Sequence, residues 1–125
     1  MSNWNVLHNS YGERIWSRGI SKEEESMIEP LSKFGFIHNE MEYFWIFDYG
    51  RCKFPDFVHE TEKIVLEYNG HFFHGEKDIP IWTRNWKRLG YTCLIIWDFE
   101  RFDIENINSL EELIERYPCE YREPE

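Results

Sequence analysis

The chain has 125 residues, a formal net charge of −10 and 18% aromatic residues, which fits one domain (residues 1–125) able to bury a core without disulfide or metal staples. With 42% apolar and 30% charged residues, the composition excludes a disordered chain. The acidic balance argues against nucleic-acid binding by charge alone, and no apolar run approaches the ~18 residues that span a bilayer.

Residues 1–20 show no regular pattern, and the polar stretch Met1 to Gly12 lacks the apolar run of a signal peptide. Ser21-Lys22-Glu23-Glu24 reads as a capping box, and Met27, Ile28, Leu31 and Phe34 follow at helical spacing. Pro30 interrupts that helix, so it either kinks near residue 26 or becomes regular later; Gly35 is a stop. Residues 43–48 read as a strand, 49–51 as a turn, and 54–59 as a second strand entered through Pro55. After a turn at 60–62, residues 63–69 form a third strand closed by Gly70. Residues 79–89 are expected to be helical and to end at Gly90. The nearly continuous apolar run 91–97 suits a strand buried on both faces, with Cys93 as a small hydrophobe. Ser109 caps a last helix with Leu110, Leu113 and Ile114 on one stripe, so residues 99–125 form an acidic C-terminal helix and tail. The order implies an α/β fold with a mixed sheet of about four strands flanked by helices. Cys52, Cys93 and Cys119 match neither a disulfide framework nor a zinc motif, which places the chain in a reducing, cytoplasmic setting.

Two carboxylates stand out. Alternation puts Val65, Glu67 and Asn69 on one face of the third strand, so Glu67 sits in the middle of an apolar element. Burying it is costly unless it is paired or binds a cation. Asp56 lies among apolar residues of the preceding strand, and two acids on neighbouring strands can converge on one point. A divalent cation would relieve their repulsion, and oxygen donors suit Mg²⁺ or Mn²⁺, which can polarise a phosphate and generate hydroxide. The alternative is that both face solvent at strand ends. Arg84, Lys87 and Arg88, interleaved with Trp82 and Trp86, share one helical face. That face suits phosphate contact or simple solvation.

The ordered set Pro55-Asp56-Phe57-Val58, Ile64-Val65-Leu66-Glu67-Tyr68-Asn69-Gly70, Phe72-Phe73-His74-Gly75, Leu89-Gly90-Tyr91 and Leu94-Ile95-Ile96-Trp97-Asp98 resembles the PD-(D/E)xK nuclease superfamily. Within it, the set is most similar to very-short-patch-repair and phage homing endonucleases, over roughly residues 20–100. The resemblance implies a restriction-endonuclease-like fold and metal-dependent cleavage of DNA. It implies Asp56 and Glu67 as metal ligands, helped by the Tyr68 carbonyl, and His74 as general acid or base. Glu24 matches the acid of the first helix, whose alternative role is the capping box. Asn69 stands where the superfamily usually has Lys, and a neutral amide cannot supply that charge. Asp78 is the only acid before the Gly90-Tyr91 turn, in a register that departs from the family's. Phe72 and Phe73 are candidates for wedging between bases, against a core role, and His71 for facing the same cleft, against a surface role.

The expected partner is therefore DNA, with a homodimer or a separate DNA-reading partner supplying what 125 residues lack. Two rival readings are a degenerate member that binds DNA without cutting and an acidic DNA mimic. The charge is unevenly spread: residues 98–125 carry ten acids and three arginines, leaving residues 1–97 at a net −3.

Overall fold

The computed structural model describes residues 3–8, 14–19, 21–70 and 76–124, with the backbone alone for the first two segments. The expectation of an irregular start is corrected there. Strands β1 (Asn3–His8) and β2 (Arg14–Gly19) form an antiparallel hairpin, in register from Asn3↔Gly19 to His8↔Arg14. Two strands that satisfy each other's backbone groups need no long apolar pattern, which is why composition hid them.

Ser21 caps the first helix as expected, accepting a hydrogen bond from the Glu24 N–H at 3.1 Å. The helix breaks at Met27 into α1 (Lys22–Ser26) and α2 (Ile28–Ser32). Pro30 explains the break, because it has no N–H to return to the Ser26 carbonyl. Gly35, at φ +95°, ends the segment. The N–H groups of Gly35 and Phe36 bond back to the carbonyls of Ser32 and Leu31, a Schellman closure with Leu31 and Phe36 both in the core.

The central sheet has four strands in the order β3 (Ile37–His38), β6 (Phe57–His59), β7 (Ile64–Asn69) and β8 (Thr92–Trp97). β3–β6 and β6–β7 are antiparallel, and β7–β8 is parallel. The parallel junction needs a crossover, supplied by α3 (Ile79–Leu89). Gly90, at φ +84°, closes α3 with the same two-bond pattern, and the Trp86 and Tyr91 rings meet edge-on across it at 6.1 Å. The protein is thus an α/β fold with a mixed four-stranded sheet and helices.

Two differences from the sequence expectation bear on the site. Residues 43–48 do not join the central sheet. Strand β4 (Trp45–Ile46) pairs with β5 (Cys52–Lys53) in a separate ribbon, and β3 is the fourth sheet strand. The aromatic run instead serves α3: Trp45 and Phe47 meet Trp86 at ring distances of 5.3 and 5.0 Å. The strand expected at 54–59 shortens to Phe57–His59, since Pro55 has no N–H for a ladder.

Strand alternation gives the sheet two apolar faces. Phe57, Leu66, Leu94 and Ile96 pack with Met27, Leu31 and Leu113, whereas Val65, Ile95 and Trp97 pack with Trp82 and Trp86 of α3. After a 3-10 segment (Asp98–Asn106) comes α4 (Leu110–Arg116), capped by Ser109. The chain then returns along β8, with Ile95 donating to the Tyr117 carbonyl and Leu94 bridging Pro118. Arg122 clamps this return by pairing with Glu100 at 2.8 Å, which covers an edge that would otherwise offer unpaired backbone groups. Among the described residues, no helix is long and apolar enough to cross a membrane.

Candidate functional site

Register brings the two sequence-selected carboxylates together. Phe57 faces Leu66 across the β6–β7 ladder, so one step further position 56 falls opposite position 67. Asp56 and Glu67 therefore share the α3 side of the sheet with Val58 and Val65. Asp56 is 3% exposed and Glu67 4%, which rules out the solvent-facing alternative.

Each carboxylate has a local reason to be there. The chain turns in at Pro55, and Asp56 takes over where the ladder stops: its Oδ2 accepts the Tyr68 N–H at 2.7 Å. The N–H and C=O of one strand residue point the same way, so the Tyr68 carbonyl is directed toward the same gap. Asn39 fixes the turn. Its Nδ2 donates to the carbonyls of Pro55 and Tyr43, and its Oδ1 accepts from the N–H groups of Glu42 and Tyr43.

Glu67 meets a cation that sequence reasoning missed. Lys53 Nζ lies 3.4 Å from Glu67 Oε2 and 4.5 Å from the centroid of the Trp82 ring. The lysine enters from β5, fourteen positions before Glu67, so no local motif announces it. Asn69 occupies the position where Lys was expected. It is 1% exposed, and its Nδ2 is buried without a hydrogen-bond partner.

Glu24 is also buried, which supports more than a capping role, but its neighbour is a second missed residue. His38 Nε2 lies 2.7 Å from Glu24 Oε2, and the His38 ring packs on Phe57 at 5.2 Å. Phe57 faces the other side of the sheet, so the Glu24–His38 pair stands apart from the Glu67–Lys53 pair.

The basic face of α3 is engaged by the ribbon. Arg84 pairs with Asp48 at 2.9 Å, and Arg88 reaches Asp48 at 3.6 Å and the Ile46 carbonyl at 2.9 Å. Both side chains remain about half exposed, and Lys87 is exposed. Asp78 occupies the N-cap position of α3. His71, Phe72, Phe73 and His74 lie outside the described residues.

Burial pushes the Tyr68 hydroxyl above its ordinary range, an effect partly offset by the Arg101 guanidinium. On the Glu67 side of the sheet, interaction with Cys119 and then burial raise the Cys93 thiol, whereas Cys93 and the Thr83 hydroxyl, which donates to Cys119 Sγ at 3.5 Å, lower that of Cys119. No cluster of three or more His, Cys, Asp or Glu suited to a metal occurs among the described residues. The donors at Asp56, Glu67 and the Tyr68 carbonyl are all oxygen, however, and such a set fits a small hard cation. No family model, curated protein or solved structure matches the chain.

Proposed function

We propose that the chain is a metal-dependent DNA endonuclease with a restriction-endonuclease-like fold. The observation that carries this reading is the buried pair Asp56 and Glu67, set one step beyond the end of the β6–β7 ladder. Burying two acids close together is costly, and Lys53 meets part of that cost at Glu67. Asp56, Glu67 and the Tyr68 carbonyl would hold Mg²⁺ or Mn²⁺. Bound there, the cation would polarise the scissile phosphate and acidify its water. Lys53 steadies Glu67 and supplies positive charge that Asn69 cannot. His74 would move the proton, helped by an imidazole pKa near ~6.5. Arg84, Lys87 and Arg88 would contact phosphates. One site makes one cut, so double-strand cleavage would need a second copy or a DNA-reading partner. Such a substrate sets the chain to work inside a cell, bacterial or phage-infected.

One observation favours a second reading. Lys53 already lies against Glu67 and the motif lysine is missing, which suits a degenerate member that binds DNA without cutting it. A plasmid-nicking assay with Mg²⁺ or Mn²⁺ separates the two. Asp56→Asn is expected to slow nicking at least ~100-fold. Cleavage that is indifferent to metal or to Asp56 overturns the endonuclease reading. A gel shift without cleavage selects the binder. Absence of both, with competition against DNA for a third protein, selects the acidic mimic.

A further inference from the structure

The β4–β5 ribbon ends in Asp48-Tyr49-Gly50, and its tip is built in an unusual way. Tyr49 is 100% exposed and has φ +64°, next to Gly50 at φ +75°. The left-handed region disfavours every L side chain, and a bulky ring normally reaches it only where packing holds it there. Here the ring packs on nothing. The backbone around it is nevertheless tightly held. Phe47 N–H donates to the Arg51 carbonyl at 2.7 Å, and Asp48 N–H donates to the fully buried Asn85 Oδ1 at 2.8 Å. Asn85 in turn donates to the Ile81 carbonyl of its own helix. A rigid clamp thus presents a bare aromatic ring to solvent.

The surroundings indicate what the ring meets. Arg84 and Arg88 touch Asp48, the residue before Tyr49, so the basic face of α3 is continuous with the tip. Arg51 follows Tyr49 by two residues and Lys87 directly precedes Arg88, and both are exposed. The two segments that meet here, 48–51 and 84–88, carry four cations against one carboxylate in a chain whose net charge is −10. Phosphates complement that charge, and a base complements a flat unpacked ring.

Resting on the endonuclease reading, we infer that Tyr49 is a base-stacking wedge: a DNA strand lies on Arg51, Arg84, Lys87 and Arg88 while an unstacked base packs on the Tyr49 ring. The expected substrate preference is DNA with a single-stranded or mismatched stretch over a fully paired duplex, because an already unstacked base costs less to present.

The test is fluorescence anisotropy with labelled 20-nucleotide single strands, matched duplexes and duplexes with one mismatch, in parallel with plasmid nicking. Tyr49→Ala is expected to weaken binding of the single strand and the mismatched duplex ~10-fold and of the matched duplex far less. Tyr49→Phe keeps the ring and is expected to bind like wild type. Tyr49→Gly removes the ring while relieving the backbone, so weak binding by this well-folded variant excludes misfolding as the cause. Binding of Tyr49→Ala equal to wild type overturns the inference, as does a loss of self-association in place of a loss of DNA binding. Wild-type nicking with a neutral Tyr49 overturns the wedge alone. Ring-dependent binding without any nicking upholds the wedge and overturns the endonuclease. Neither binding nor nicking by wild type overturns both.

Discussion

The Lys53–Glu67 pair gives a prediction whose size follows from the geometry. At 3.4 Å the Coulomb attraction is about 5 kcal/mol at an effective dielectric of ~20. Desolvation offsets part of that, and the Lys53 side chain is 23% exposed, so solvent screens some of the rest. Lys53→Met keeps the stem against Trp82 but takes the ammonium from a nearly buried carboxylate, and is expected to cost about 2–3 kcal/mol. Glu67→Gln leaves an ammonium that can turn to water and is expected to cost about 1 kcal/mol. The double variant should recover about 1.5 kcal/mol relative to the sum. Urea unfolding reads this as a midpoint drop of roughly 1 M for Lys53→Met. Additive costs in the cycle would refute the pairing.

Three further outcomes are expected. Gly90→Ala should cost about 1 kcal/mol, since only its φ of +84° opposes a side chain, whereas Gly35→Ala should cost about 2–3 kcal/mol because the new Cβ would lie 2.6 Å from His59 Nε2. Equal midpoints for the two in urea would show that His59 gives way freely. Asn39→Ala removes four hydrogen bonds at the turn before Asp56 and should lower the thermal midpoint by about 10 °C, with Asn39→Asp intermediate because it keeps the two accepted bonds. In iodoacetamide labelling read by mass spectrometry, Cys119 should react at lower pH than an ordinary thiol and Cys93 should be protected; Cys93→Ala should move the Cys119 profile upward, and an unmoved profile counts against the interaction between the two thiols.

The elements legible in the sequence were those whose signals are local. The helix at 79–89, the apolar strand at 92–97, the caps at Ser21 and Ser109 and the stops at Gly35 and Gly90 each depend on residues a few positions apart. The two-residue strand β3 and the β4–β5 ribbon depend on distant partners: β3 exists because it pairs with β6, and the ribbon because Trp45 and Phe47 lean on Trp86. The same split runs through the site. Asp56 and Glu67 were legible because alternation and a Pro-entered strand place them on one face. His38 and Lys53 were not, since each reaches its carboxylate from a segment whose position only the tertiary fold decides.

Lys53 and Asn69 can be tested against each other on that basis. Positions 67 and 69 share a face two residues apart, so an ammonium at either 53 or 69 can serve Glu67. In the wild-type background, Asn69→Lys would bury a second cation beside Lys53 at a position 1% exposed, and is expected to cost more than about 3 kcal/mol. In the Lys53→Met background the same substitution returns an ammonium to the side of Glu67 and is expected to restore at least half of the lost stability. The sign of one substitution thus reverses with the state of another residue sixteen positions away, which independent sites cannot do. Midpoints in urea for the four proteins, with nicking rates beside them, decide it. Costs that add to within about 0.5 kcal/mol would mean that Lys53 and position 69 do not answer to the same carboxylate.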